Sequence, residues 1–262
     1  AVGEGKEKVD IDITKNEFLF EYEPFVGYSN PNCIATPILG ILLGFNEPEQ
    51  PTAEQFEWLN LFLAEAESAL VSYDFERIAE YFDIDSFVDF YIVNELFKDV
   101  DFSTSSTRFY LKKGRLYAGP LWDMDLSSGN VSEEAGYYGE YWNSNTSGDS
   151  TESFYCRKIW YRELFGCQKF GELVRKRYAK LQPQIVNLTT DNELGLNRID
   201  RLIAKYGKSF AANYEKAGWS VSYVYGEFES RYPAKTYEGN VEYLREWLIR
   251  RNAWLLHELG IS

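Results

Sequence analysis

The segment of residues 85–130 constrains the fold most strongly, because it combines a helical pattern, a polar loop, two β-prone runs and an acidic loop. Its first part has apolar residues at three- and four-residue spacing, which predicts a helix with one buried face. Asp85 or Ser86 is expected to cap the first turn of this helix by accepting a backbone N–H. The residues of the apolar face are Phe87, Val88, Tyr91, Ile92 and Leu96.

The second half of the same segment predicts a β-hairpin. The runs Thr107–Leu111 and Leu116–Trp122 are rich in β-prone residues, and the short connection between them contains Gly114. Gly114 supplies the positive φ that a tight turn between two strands needs. Asp101 precedes the first strand and Asp123 follows the second, so the hairpin is expected to bring both carboxylates to the end opposite its turn.

Three carboxylates are therefore expected at one edge of the hairpin. Paired strands lie about 5 Å apart, which places Asp101 near Asp123 and Asp125. Like charges held that close need a proton or a cation between them. A hard divalent cation with oxygen ligands, Mg²⁺ (or Mn²⁺), fits this pattern, with one carboxylate binding the metal while another accepts a proton from a hydroxyl nucleophile. Ordinary turn carboxylates that cap strands and helices are the alternative reading.

Several stretches of the sequence resemble a known family, and the most specific are NELFKDVD and STRFYLKKGRLYAGPLWDMDLSSGN. They look like the CotH family, the atypical kinases named after spore coat protein H. The stretches KVDIDITKNEFLFEYEP, EQFEWLNLFLAEAESAL and VEYLREWLIRRNAWLLHELG agree with the same family, so the resemblance covers nearly the whole chain. The His-Arg-Asp and Asp-Phe-Gly signatures of ordinary protein kinases are absent from the sequence.

The resemblance implies transfer of the ATP γ-phosphate to a Ser or Thr hydroxyl of a protein. Asp101 would hold the catalytic position, Asp123 would bind the metal, and Asp125 would be a second ligand. Kinases place an Asn five positions after the catalytic Asp to hold the second metal ion. Here that position is Ser106, a weaker ligand, which leaves the second metal site in doubt.

A nucleotide position also follows from the kinase resemblance. The run EFLFEY, residues 17–22, predicts a buried strand that ends before Pro24. In a kinase this strand would enter the hinge between the lobes, so backbone groups of Glu21, Tyr22 and Glu23 would face the adenine. A plain core strand is the alternative.

The predicted fold class is α+β, a mainly helical protein-kinase-like C-terminal lobe with a central β-hairpin and a short N-terminal strand region. Residues 1–50 are expected to be the remnant of an N-terminal lobe and its hinge strands, and residues 51–262 the helical lobe. Sixteen residues precede Glu17, too few for a Gly-rich cover and a clamping Lys. We therefore expect the later part of a CotH-like protein that lacks much of the nucleotide-clamping lobe and, as it stands, does not turn over ATP. Further helices are predicted near residues 52–70, 75–82, 152–182 with breaks at Gly166 or Gly171, 192–218 and 238–259.

The charge composition of the chain indicates which classes of binding partner it can attract. A formal net charge of −14 disfavours nucleic acid and favours a basic protein substrate. There is no apolar run long enough for a membrane span, and the family's association with spore coats suggests an extracytoplasmic, secreted bacterial protein.

Three cysteines without a CxxC pattern support neither a zinc site nor a disulfide framework. Hydrolysis by a Ser–His or Cys–His pair would depend on the sole histidine, His257, which is far in sequence from the acidic residues, so this chemistry is disfavoured.

Two other functions stay open from the sequence. One is a non-catalytic surface or spore-coat module that binds a partner through the loop of residues 130–151, whose aromatic residues are Tyr137, Tyr138, Tyr141 and Trp142. The other is a glycosidase, because paired carboxylates among aromatic residues also suit sugars.

Overall fold

The computed structural model describes residues 10–22, 24, 32–99, 101–102, 106–130, 150–151, 158–215 and 236–261. The chain divides into two compact units, and each is described by itself. The first unit consists of Ala1–Phe90, Phe102–Asp123 and Arg157–Gly171. The second consists of Tyr91–Asp101, Met124–Cys156 and Glu172–Ser262.

The described residues form an α+β structure, as the sequence predicts. The strands are β1 (Phe18–Tyr22), β2 (Cys33–Ala35), β3 (Leu42–Glu47), β4 (Arg108–Lys112) and β5 (Arg115–Ala118). The helices are α1 (Ala53–Val71), α2 (Phe75–Tyr81), α3 (Ile84–Phe97), α4 (Tyr161–Gly166), α5 (Gln168–Val186), α6 (Arg198–Glu215) and α7 (Tyr237–Glu258), with a 3-10 turn at Ile13–Lys15.

The five strands make one antiparallel sheet in the first unit, with the order β2-β3-β1-β4-β5. The predicted hairpin is confirmed as β4 and β5, and its turn residues Lys113 and Gly114 have φ values of 52° and 70°. Strand β5 ends at Ala118, earlier than the predicted Trp122. Pro120 explains the early end, because it has no N–H to donate to a strand ladder.

Side-chain caps fix where the first helices begin. Thr52 and Gln55 form the capping box of α1, and the carboxylate of Asp74 accepts the amide of Glu76 at the start of α2. The predicted cap of α3 is wrong. Asp83 holds that role, because its Oδ1 accepts the Ser86 N–H at 3.0 Å and the helix begins at Ile84, before both predicted cap residues.

The core of the first unit is an aromatic cluster, and the polar groups of Trp160 and Glu67 within it are hydrogen-bonded. Trp160 packs edge-on against Phe109 with ring centroids 4.9 Å apart, and its Nε1 donates to Glu67 Oε1 at 3.0 Å. The fully buried Glu67 also accepts the backbone amides of Ile38 and Leu39 at 2.9 Å. Three donors stabilise this carboxylate in the interior, so it ties the turn before β3 to the core.

The helices after residue 160 follow most of the predicted pattern. The predicted break at Gly166 is confirmed, since α4 ends there, whereas Gly171 lies inside α5. A glycine in a helix interior costs only about 1 kcal/mol relative to alanine, so helix packing overrides it. Gly260 follows α7 with φ of 61°, which agrees with the predicted C-terminal signal. None of the described helices is long and apolar enough to cross a membrane.

In the second unit, Arg245 of α7 binds the start of α6. Its Nη2 lies 2.7 Å from Asp200 Oδ1, and its Nη1 donates to Thr189 O at 3.0 Å. The hydrogen bonds from Arg245 and Asn197 hold the pKa of the Asp200 carboxyl below its ordinary value. The ionised carboxylate therefore stabilises the fold above the unfolded-state pKa of about 3.9, and this contribution is lost as pH falls through the lower folded-state pKa.

We expect Asp200→Asn to lower the melting temperature at pH about 6 and to lose this deficit progressively below pH about 4. The measurement is thermal unfolding of both proteins across that range. Glu193→Gln, which changes an exposed carboxyl outside the pair, should follow the unmodified protein at every pH. A gap between Asp200→Asn and the unmodified protein that is constant with pH would contradict the assignment.

Candidate functional site

The loop that carries Asp101 is built on a buried polar turn at the end of α3. Lys98 and Asp99 are 1% and 3% exposed, although both carry charged groups. Lys98 has φ of 47°, and this left-handed residue turns the chain out of the helix. The half-buried Asp101 follows, and its N–H donates to Asp99 Oδ1 at 3.3 Å. The backbone at Asp101 is therefore held by its own neighbours.

Arg251 of α7 also binds the C-terminal end of α3, through Glu95. Its guanidinium is fully buried and lies 2.7 Å from Glu95 Oε1, with further hydrogen bonds of 3.0 and 2.9 Å to the Glu95 carbonyl oxygen. Its Nη1 donates to Ser150 O at 3.3 Å. Carbonyl groups in the last turn of a helix have no partner within the helix, so Arg251 also serves as the cap of α3. Sequence reasoning missed this pair, because an arginine on a long polar helix ordinarily faces solvent.

The acidic loop after β5 is attached to the same helix end. Ser128 N–H donates to Phe97 O at 2.6 Å, and Asn130 Nδ2 donates to the Asp125 carbonyl oxygen at 2.7 Å. Gly129 has φ of 82°, and a Cβ there would lie 2.7 Å from Trp247 Nε1. Only glycine fits this close approach between the loop and α7. The loops of Asp101 and Asp125 thus share one support within the second unit, and the Asp125 side chain is exposed.

In the first unit, Ser106 and Asp123 bring two oxygen atoms together. Ser106 Oγ donates to Asp123 Oδ2 at 3.5 Å, the long limit for a hydrogen bond. Both residues are left-handed, with φ of 52° and 53°. Non-glycine residues rarely adopt this conformation, and such strain concentrates at functional sites. The predicted metal ligands Ser106 and Asp123 are therefore neighbours.

Arg108 supports the residue next to Asp123. Its Nη2 and Nε lie 3.0 and 3.1 Å from Glu21 Oε2, and its Cζ lies 3.9 Å from the Trp122 ring centroid. Both partners of the ion pair are about four-fifths buried, with side chains 18% and 19% exposed. The cross-strand pair of Arg108 and Glu21 thus holds Trp122 in place through a cation–π contact. The sequence did not reveal this role, since it depends on the register between β1 and β4.

The predicted adenine-facing residues lie at the end of β1. Tyr22 N–H donates to Thr107 O at 2.8 Å, so this N–H is already paired within the sheet region and is not available to an adenine. Tyr22 also lines a cleft of about 390 Å³ together with Lys158 and Arg162. Burial lowers the pKa of the Lys158 ammonium. Glu23 lies outside the described residues, and the contact with adenine stays a prediction.

Mg²⁺ needs oxygen ligands, and this need bears on the predicted metal ligands. Among the described parts of the chain, no group of three or more His, Cys, Asp or Glu side chains could hold a metal ion. The carboxylate of Asp123 and the hydroxyl of Ser106 do provide two adjacent hard oxygen ligands. Mg²⁺ is commonly held by one or two carboxylates together with substrate phosphates rather than by an all-protein cage. The oxygen pair therefore fits a nucleotide-bound Mg²⁺.

Several residues of the predicted sites lie in different units of the structure or outside the described residues. Asp123 and Ser106 belong to the first unit, and Asp101 and Asp125 to the second, so their shared role rests on the sequence argument. Cys33 is half-buried and Cys167 is buried, and Cys156 lies outside the described residues. The aromatic residues of the alternative binding loop also lie outside them, namely Tyr137, Tyr138, Tyr141 and Trp142.

An acidic loop after a hairpin, preceded by a fixed aspartate at a helix end, is the kind of arrangement that phosphoryl-transfer enzymes use. The family model described as CotH kinase protein matches residues 44–255 of the 262-residue chain. The chain belongs to the CotH kinase family. Comparisons with curated proteins and with solved structures gave no match.

Proposed function

We propose that this chain is an atypical Ser/Thr protein kinase domain that transfers the γ-phosphate of ATP to protein hydroxyls. The observation that carries the proposal is the family match over residues 44–255, which contains every residue of the acidic site. A kinase-like function is what this family membership supports. The assignment of individual roles to its residues is our own step, and it depends on the local geometry.

Asp101 is proposed to accept the proton of the substrate hydroxyl. A catalytic carboxylate must be held within hydrogen-bond reach of the nucleophile. The clamp of Arg251 on Glu95 and the hydrogen bond from Asp101 N–H to Asp99 Oδ1 support this role, because they limit the freedom of the loop before the substrate arrives. The loss of conformational entropy at the moment of reaction is therefore small.

Asp123 and Ser106 are proposed to hold the metal ion, with Asp125 as a further ligand. Mg²⁺ would neutralise charge on the phosphates of the nucleotide. The left-handed backbones of Ser106 and Asp123 support this assignment, since Ser106 Oγ and Asp123 Oδ2 lie within 3.5 Å of each other. The contact with the Arg108 guanidinium holds Trp122, and Trp122 directly precedes Asp123 in the chain.

ATP is proposed to lie with its adenine against the backbone near Glu21, Tyr22 and Glu23. The cleft beside Tyr22 supports this position, because Lys158 and Arg162 line it, although Arg162 is paired with Glu163, which lines the same cleft. Cations beside the nucleotide are needed in a chain with a formal net charge of −14, whose overall field repels an anion. The same field attracts a basic protein substrate. An extracytoplasmic bacterial location, secreted or on the spore coat, is part of the proposal and follows from the family name alone.

The test is phosphate transfer by the full-length protein. We expect transfer of ³²P from [γ-³²P]ATP to Ser or Thr of myelin basic protein, with dependence on Mg²⁺ or Mn²⁺ and loss in EDTA. Restoring Mg²⁺ in excess over the chelator should restore transfer. Absence of both transfer and ATP binding, measured by isothermal titration calorimetry, would overturn the kinase proposal.

A further inference from the structure

The second unit contains a cavity of about 540 Å³ that the proposed chemistry does not use. This volume lies in the range of about 300–1,000 Å³ typical of ligand sites. Its walls come from the end of α3, the acidic loop and helices α6 and α7. They are mostly apolar and include Phe97, Met124, Leu188, Leu202, Leu244 and Leu248.

Two side-chain amides in this wall have buried atoms without a hydrogen-bond partner among the described residues. These atoms are Nδ2 and Oδ1 of Asn240 and Oδ1 of Asn130. Buried polar atoms in native proteins are nearly always paired. The side-chain amide of Asn240 presents one donor and one acceptor side by side, and its natural complement is the C=O and N–H of a peptide group.

The cavity adjoins both loops of the proposed active site. Phe97 ends α3, four positions before Asp101, and accepts the Ser128 N–H from the acidic loop. Met124 lies between Asp123 and Asp125. A group that enters the cavity therefore touches a residue four positions before Asp101 in the chain and a residue that lies directly between Asp123 and Asp125.

We infer that this cavity receives an apolar side chain of the protein substrate, and that Asn240 binds the neighbouring peptide group. The inference rests on the proposed kinase function and specifies its substrate. Charge complementarity favours a peptide, because the −14 net charge of the chain attracts Lys and Arg residues around the acceptor hydroxyl. The preferred substrate thus carries basic residues together with one Leu, Ile or Met near its Ser or Thr.

Direct binding can be measured without catalysis. Met124 is the only methionine of the chain, so [¹³C-methyl]methionine labelling gives one resonance from the cavity wall, apart from that of an added initiator methionine. The probes are blocked Arg/Lys-rich peptides with one Ser, in which Leu or Asp occupies each position flanking the Ser in turn. We expect one Leu peptide to shift the Met124 resonance saturably, with an affinity about tenfold or more above that of its Asp counterpart.

Two variants separate a ligand role for Asn240 from a structural one. Asn240→Leu should raise the melting temperature by about 2–4 °C, because it removes an unpaired buried amide, and should weaken the Leu peptide about tenfold. A structural amide would give the opposite change in stability. Leu244→Trp should fill the cavity and abolish the Met124 shift. The control is Leu61→Trp, since Leu61 is 63% exposed on α1 and away from the cavity wall.

Each outcome decides one proposal. Binding of Leu peptides without phosphorylation by the full-length protein would support the cavity and overturn the kinase function. Phosphorylation without any preference for an apolar residue, and without a shift of the Met124 resonance, would overturn the cavity assignment alone. A Met124 shift caused by decanoate but by none of the peptides would also overturn it, in favour of a small amphiphilic ligand.

Discussion

Replacing Asp101 by Asn is expected to reduce kcat for phosphate transfer by about 10²- to 10⁴-fold, the usual contribution of a general base. The amide has nearly the same shape as the carboxylate but cannot accept the substrate proton. The measurement is steady-state transfer of ³²P from ATP to a basic Ser-containing protein by the full-length enzyme. We expect the melting temperature and the affinity for ATP to change little.

Two companion variants make this result specific. Asp123→Asn should also lower activity strongly, and a higher Mg²⁺ concentration should recover part of it, because a metal ligand is weakened rather than a base removed. Glu57→Gln, in which an exposed carboxyl of α1 is neutralised, should leave activity unchanged. Full activity of both the Asp101→Asn and the Asp123→Asn enzymes would end the assignment of the site.

The second large effect concerns stability. Arg251→Met is expected to lower the free energy of unfolding by about 3–5 kcal/mol, because it leaves the buried carboxylate of Glu95 without its counter-charge. Urea denaturation followed by circular dichroism measures this change. Arg250→Met is the matched control, because Arg250 is exposed on the same helix. This substitution should change the free energy of unfolding by no more than about 0.5 kcal/mol.

A double variant then tests the positioning role of the pair. Glu95→Leu with Arg251→Met removes both charges, and such replacements are often neutral or stabilising, so stability should recover. Activity should not recover, since the end of α3 before Asp101 has lost the hydrogen bonds to the Glu95 carbonyl oxygen. An Arg251→Met protein as stable as Arg250→Met would contradict the buried clamp, and full activity in the double variant would contradict its positioning role.

Much of the fold was predictable from the sequence, because local signals and tertiary packing agree there. The hairpin is marked by two β-prone runs around Gly114, and α1 by a capping box of Thr52 and Gln55. The helices α3 and α7 were predicted with small errors at their ends, whereas α6 begins at Arg198, six residues after its predicted start. The strand pair β2–β3 carries no comparable sequence signal, since its residues are short apolar runs between prolines without a helical or alternating pattern.

The supports of the candidate site were not predictable, because each of them joins residues far apart in sequence. Glu21 meets Arg108 only once the register between β1 and β4 is known. Glu95 and Arg251 come from helices that are 156 positions apart in sequence, and no local pattern distinguishes a buried arginine from a solvated one. The individual roles of Asp101, Asp123 and Asp125 came from the family resemblance. The strained backbones at Ser106 and Asp123 needed the structure.

The central claim is that the folded-back hairpin gathers acidic residues into a metal and phosphoryl-transfer site. The most direct measurement is a crystal structure of the full-length protein with ATP and Mn²⁺, with data collected for the anomalous signal of manganese. We predict an anomalous peak about 2.0–2.2 Å from a carboxylate oxygen of Asp123, with the Asp101 carboxylate facing the γ-phosphate. Bound ATP with its manganese away from Asp123, or Asp101 directed away from the phosphates, would contradict the account.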